Sequence, residues 1–126
     1  MIFYIFLTML FCHVIDDYYL QGILANMKQK EWWQENAPQT LYVYDYIVAL
    51  LMHSISWTFM IMLPIAIYKA FDITIAFVIL FVINVAIHAI IDDLKANKKK
   101  INLLTDQSIH ILQIAVTFII LICFDL

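Results

Sequence analysis

The sequence predicts an all-α fold, a polytopic membrane protein whose single domain, residues 1–126, is a bundle of four transmembrane helices. Three observations predict it. Of the 126 residues, 65% are hydrophobic and only 13% are charged, whereas a soluble domain runs at roughly half and a quarter. Four stretches stay apolar over about 20 residues, the length that crosses the hydrocarbon at helical rise. None of them alternates between apolar and polar, and a lone glycine leaves little material for tight turns. Since only helices and closed barrels satisfy their own backbone in lipid, the spans are helices.

The first span, about residues 2–25, opens with MIFYIFLTMLFC and turns polar at His13. It has no basic leader and no small-residue cleavage site, so it is expected to remain as a span. The second, about 42–68, is the longest run and is interrupted near its end by Pro64. The third covers about 72–96 and the fourth about 103–124. Lysine placement sets the orientation, because there is no arginine. Lys28 and Lys30 separate the first two spans, Lys95, Lys98, Lys99 and Lys100 the last two, and Lys69 stands alone on the other side. Short lysine-rich loops stay cytoplasmic. Both termini are therefore expected outside, in the inner (cytoplasmic) membrane, with Trp32, Trp33, Tyr42, Tyr44 and Tyr46 forming an interfacial belt.

Several classes are excluded. There is no glycine-rich phosphate loop, no GxSxG elbow and no basic helix for nucleic acid. Cys12 and Cys123, each isolated in an apolar run, read as small buried hydrophobes. Asp45, Asp72 and Asp125 lie near span ends and are expected in solvent.

What remains unexplained is the polarity inside the spans. The four histidines, His13, His53, His88 and His110, fall one to each span. Three have an aspartate four residues away: His13 with Asp17, His88 with Asp92, and Asp106 with His110. On a helix such pairs lie one above the other on a single face. With the cytoplasmic ends near residues 25, 42, 96 and 103, the histidines lie 12, 11, 8 and 7 residues in, or roughly 10–18 Å deep at helical rise. All four can meet in one layer, as a site at a bundle centre requires. A single intramembrane histidine can simply bond a carbonyl. Three aspartates beside it cannot, at about 2.5–3.5 kcal/mol each near a membrane helix centre. With no arginine and with the lysines expected nearer the surface, a divalent cation is the partner that uses all of them.

The candidate ligands are His13, Asp17, His53, His88, Asp92, Asp106 and His110. Histidine and carboxylate without thiolate suit zinc first, with manganese or iron as alternatives. Seven groups exceed one tetrahedral ion, so either two ions bind or some residues only orient the others. Asp16, three residues from His13, and Asp106 are the candidate general bases. Gln21, Lys28, Asn84, Lys95 and Gln107 are candidates for holding substrate or supporting the ligands, and Asn84 can instead bond between helices.

The ordered set of HxxxD–LQ (His13, Asp17, Leu20, Gln21), lone His53, HxxxD–xxK (His88, Asp92, Lys95) and DQxxH (Asp106, Gln107, His110) resembles the small bacterial and phage membrane proteins catalogued as domain of unknown function 3307. It also looks like a relative of the membrane-bound metal-dependent hydrolases, whose HxxxD motifs are shared with zinc-dependent phospholipase C. The resemblance implies ligand positions rather than a substrate. The reading is a membrane-embedded metal-binding protein that hydrolyses a phosphoester or amide of a small, lipid-like or membrane-delivered substrate, its site open to the cytoplasm and its other partners the lipids. The alternative is a carrier or channel for divalent cations or protons through the same cluster. Haem held between histidine pairs leaves the three aspartates without a role.

Overall fold

The computed structural model describes residues 2–124, the Cys123 side chain excepted, so the expectations for that side chain and for Asp125 lie outside the described residues. Those residues form helices and connections, with no strand among them. Helix α1 (Ile2–Ile15) widens at its end into a π-helical turn, Asp16–Leu20. Two short helices follow, α2 (Leu24–Met27) and α3 (Lys30–Asn36), then the long α4 (Asp45–Tyr68). Helix α5 is Ile75–Ala96, and α6 (Leu103–Phe118) again ends in a π turn, Ile119–Cys123. Four segments, Ile2–Leu20, Thr40–Tyr68, Ile75–Ala96 and Leu103–Ile122, are long and apolar enough to cross a membrane. The chain is a multi-pass membrane protein.

The ends of these helices have local causes. The first span stops at Gly22, the lone glycine, whose φ of +50° is a left-handed conformation that other residues resist. The expected end near residue 25 is therefore replaced by a turn and a short second helix. Helix α5 starts at Ile75 rather than 72 because the Thr74 side chain accepts the Phe77 amide, a helix N-cap. Asn102 does the same for α6 by accepting from Thr105. Pro64 does not interrupt α4, which continues to Tyr68. Proline deprives Met60 of one amide donor, a loss that membrane helices tolerate when neighbours compensate.

The four long helices pack in a ring in which α1 touches α4 and α6, and α5 touches the same two. Their polarity is inverted relative to a soluble protein. Asp16, His53, Ser54, Thr58, His88, Asp106 and His110 are fully buried, while Ile75, Ile79, Val82 and Leu112 face outward. Only 22–44% of each span is buried inside the bundle, so most of the apolar surface is turned to lipid. The interior divides along its axis. One half is an apolar core of Ile5, Met9, Ile61, Met62, Ile65, Phe77, Ile114 and Leu121, closed by Trp57. The other half holds the histidines and aspartates. Between them Asn84 joins α5 to α6: its amide donates to Thr117 at 2.9 Å and accepts from Gln113 at 2.8 Å. Asn84 thus has the interhelical role, apart from the histidine layer.

Candidate metal centre

Each helix contributes along one stripe. On α1 the buried positions Ile5, Met9 and His13 recur every four residues. The π turn, closed by Gln21 N–H to the Asp16 carbonyl at 3.0 Å, then buries both Asp16 and Asp17. A regular α-helix turns consecutive residues well apart, so the wide turn is what brings both carboxylates inward. π turns of this kind are often found at functional sites. Helix α4 supplies His53 and Trp57, α5 supplies His88 and Asp92, and α6 supplies Asp106 and His110, each pair at i and i+4.

The side chains converge. His53 Nε2 stands 3.2 Å from His88 Nε2, 3.3 Å from Asp17 Oδ1 and 3.5 Å from Asp92 Oδ2. His110 Nε2 stands 3.5 Å from Asp92 Oδ1 and 3.4 Å from Asp106 Oδ1. Two groups, Asp17–His53–His88 and His88–Asp92–His110, each place three ligand atoms within 4.8 Å of one another. Zinc bonds of about 2.0–2.1 Å in a tetrahedron put neighbouring ligand atoms about 3.3–3.4 Å apart. The observed spacings fit that. The His53–His88 contact is also a hydrogen bond, but His53 Nδ1, His88 Nδ1, both nitrogens of His110, Asp16 Oδ2 and Asp106 Oδ1 are buried without a hydrogen-bond partner. Orphaned buried acceptors are rare in proteins because each loses its water without replacement. A cation beside His110 Nε2 and Asp106 Oδ1, 3.4 Å apart, would satisfy both.

His13 differs from the other three. The Trp57 indole N–H can only donate, and it donates to His13 Nδ1 at 2.8 Å. The ring proton is therefore on Nε2, which donates to Gln107 Oε1 at 3.0 Å. Gln107 in turn donates to Asp17 Oδ2 at 3.2 Å and Asp106 Oδ2 at 3.1 Å. Both nitrogens of His13 are occupied, and the chain Trp57–His13–Gln107 holds two carboxylates with their other oxygens facing the cluster. Asp16 lies behind His53, accepting from Ser56 at 2.6 Å and facing His53 Nδ1 at 3.5 Å. A carboxylate behind a metal-binding imidazole fixes the ring's orientation.

Lys28 and Lys95 both reach the aspartates. Lys28 Nζ lies 2.6 Å from Asp92 Oδ2 and 2.9 Å from Gln21 Oε1, and Lys95 Nζ lies 2.5 Å from Asp106 Oδ2. After the turn at Gly22 the α1–α4 connection folds over the end of α5, where Asn97 bonds the Lys28 carbonyl and the Lys30 amide. Lys28 is thereby pushed into the bundle, and Lys95 reaches inward from α5. Gln21 is held by its own side-chain bond to the Asp17 carbonyl. Even so, the four buried carboxylates, Asp16, Asp17, Asp92 and Asp106, face only two ammonium groups. With the imidazoles counted as neutral, two negative charges remain without a counterion.

A cavity of about 180 Å³ bordered by Asp17, Tyr18, Gln21, Lys28, Lys95 and Gln107 leads from the helix ends to this cluster. Trp57, Ser56 and the π turn are the parts of the site not singled out in the sequence. Trp57 stacks on His88 at 4.2 Å besides orienting His13. It lies four residues from His53, the one histidine without an aspartate at that spacing, and the same rule would have found it.

Bundle and cluster together define a polytopic membrane protein with a buried histidine–aspartate centre able to hold a metal ion. The family model described as protein of unknown function (DUF3307) matches residues 5–125, and the chain belongs to that family. Comparison with curated proteins and with solved structures gives no match.

Proposed function

We propose that this protein is an intramembrane metal-dependent hydrolase, with a divalent cation, zinc first, held by Asp17, His53 and His88 with Asp92 beside them. The observation that carries the cation is the convergence of Asp17, His53 and His88, and of His88, Asp92 and His110, at ligand spacing, with His110 Nε2 and Asp106 Oδ1 buried and unpartnered beside them. A bound divalent ion supplies a Lewis acid and lowers the pKa of water to about 7. Asp106, with a free oxygen facing the cluster, is the general base, and Asp16 positions His53. Hydrolysis adds water across a phosphoester P–O or amide C–N bond. The water oxygen bonds to phosphorus or to the carbonyl carbon, while its proton passes through Asp106 to the departing oxygen or nitrogen.

The cavity supports a substrate whose reacting end is small and polar, since about 180 Å³ is below the roughly 300–1,000 Å³ of ordinary ligand pockets. The remainder of a lipid-like substrate would stay among the lipids beside Tyr18 and Leu103. Lysine bias supports a mouth at the cytoplasmic face of the inner membrane, with both termini outside. Hydrolysis is favoured over transport because the buried Trp57, Ile61, Ile65, Ile114 and Leu121 make the other half of the bundle largely apolar.

Purified protein in detergent should retain zinc or manganese and hydrolyse phosphoester or amide probes in an EDTA-sensitive way. His88→Ala and Asp92→Ala should lose metal and activity together. Protein without bound metal after zinc dialysis refutes the centre. Metal flux into liposomes, lost in His53→Ala and unaccompanied by hydrolysis, establishes the carrier instead.

A further inference from the structure

We infer that the centre is dinuclear, two divalent cations lying on either side of the Asp92 carboxylate. This deepens the metal reading above and rests on it. The candidate ligands form two overlapping triads that share His88: Asp17, His53 and His88, and His88, Asp92 and His110. A neutral imidazole has one lone pair, so His88, with Nε2 turned to His53 at 3.2 Å, serves the first ion, and Asp92 and His110 hold the second. Asp92 turns a different oxygen to each. Its Oδ2 faces His53 and His88 at 3.5 and 3.8 Å, and its Oδ1 faces His110 at 3.5 Å. A carboxylate whose oxygens address separate nitrogens is placed to bridge two ions, and paired ions about 3.5–4 Å apart are a recurrent device for displacement at phosphorus.

The second side has its own requirement for a cation. His110 is fully buried and neither of its nitrogens has a hydrogen-bond partner, although two carboxylates stand within 3.5 Å of Nε2. An ion confined to the Asp17–His53–His88 side leaves those atoms unsatisfied. Charge adds a consequence. One divalent ion balances the two uncompensated carboxylates, so a second gives the centre two positive charges. A dianionic group such as a phosphate monoester, entering between Lys28 and Lys95, neutralises them. The dinuclear centre thus selects phosphoesters over amides.

All four histidines of the chain belong to the cluster, so metal counting is not confused by histidines elsewhere. The full-length protein, purified in detergent and dialysed against manganese or zinc with weak chelator washes, should carry two ions per chain by elemental analysis. His53→Gln and His110→Gln should each carry one, and the manganese-loaded wild type should show a spin-coupled electron paramagnetic resonance signal. One ion per wild-type chain with an isolated manganese spectrum overturns the dinuclear centre and leaves the metal reading intact. Zero ions overturns both. Should either variant fail to fold, the wild-type count and spectrum decide alone.

Discussion

Lys28 and a divalent ion compete for the same carboxylate, and that competition can be measured. Lys28 Nζ lies 2.6 Å from Asp92 Oδ2 and both side chains are buried. Lys28→Met keeps the aliphatic stem and removes the charge, leaving Asp92 without its ammonium partner. Breaking a buried pair in this way costs about 3–5 kcal/mol. With an ion on Asp92, the carboxylate keeps a counter-charge, and the loss falls to the bond with Gln21, about 0.5–1.5 kcal/mol. The two conditions therefore differ by about 1.5 kcal/mol or more, and by linkage the variant binds metal at least about ten-fold more tightly. Unfolding of wild type and variant in mild detergent, with EDTA and with saturating zinc, gives both quantities. Equal destabilisation in the two conditions, or a variant that binds metal more weakly, would show that Lys28 and the ion do not share Asp92.

Three further outcomes follow from other parts of the bundle. Trp57→Phe keeps a ring against His88 but removes the donor to His13, so metal affinity should drop about 10–100-fold, the usual effect of losing a supporting contact; zinc titration with unchanged helix content by circular dichroism checks this. Asn84→Ala should lower stability by about 1–2 kcal/mol, since interhelical hydrogen bonds in membranes average about 0.6 kcal/mol each, while metal content stays at the wild-type value by elemental analysis. Gly22→Ala meets open space, its nearest neighbour the Leu20 carbonyl at 3.8 Å, so only its backbone matters. A left-handed alanine costs about 1–2 kcal/mol. Gly22→Asn, which tolerates that conformation, should be closer to wild type in thermal unfolding.

Much of the site was legible because helical membrane proteins obey two simple periodicities. Apolar length gave four spans, and the i+4 spacing gave the pairs His88–Asp92 and Asp106–His110 on the inner faces of α5 and α6, where they lie. Asp16 was ambiguous because a regular helix admits only one of two adjacent aspartates to an inner face. Its burial depends on a π turn, for which the sequence carries no local signal. His13 was taken for a ligand on spacing alone. Its hydrogen-bond partners Trp57 and Gln107 come from other helices, 44 and 94 residues away, and no local pattern announces them. Lys28 was misjudged for the same reason: its depth follows from the Gly22 turn and the Asn97 clamp on the α1–α4 connection, both of which are tertiary.

The axial division of the interior constrains what the centre can be used for. A conduit for ions needs polar groups through the whole hydrocarbon, yet below the histidine layer Trp57 closes onto a largely apolar core, where the buried polar groups include Thr58 beside Trp57 and the linked Asn84, Gln113 and Thr117. Asn84, Gln113 and Thr117 bond to one another, which ties α5 to α6. At the other end, the folded connection holding Lys28, together with Lys95 and Gln21, borders a cavity wide enough for a small polar group. An asymmetric interior of this kind, sealed on one side and cationic at its mouth on the other, fits a compartment entered and left by the same door. A reaction chamber of the kind proposed needs that property, with Lys28 at its mouth and Trp57 at its floor.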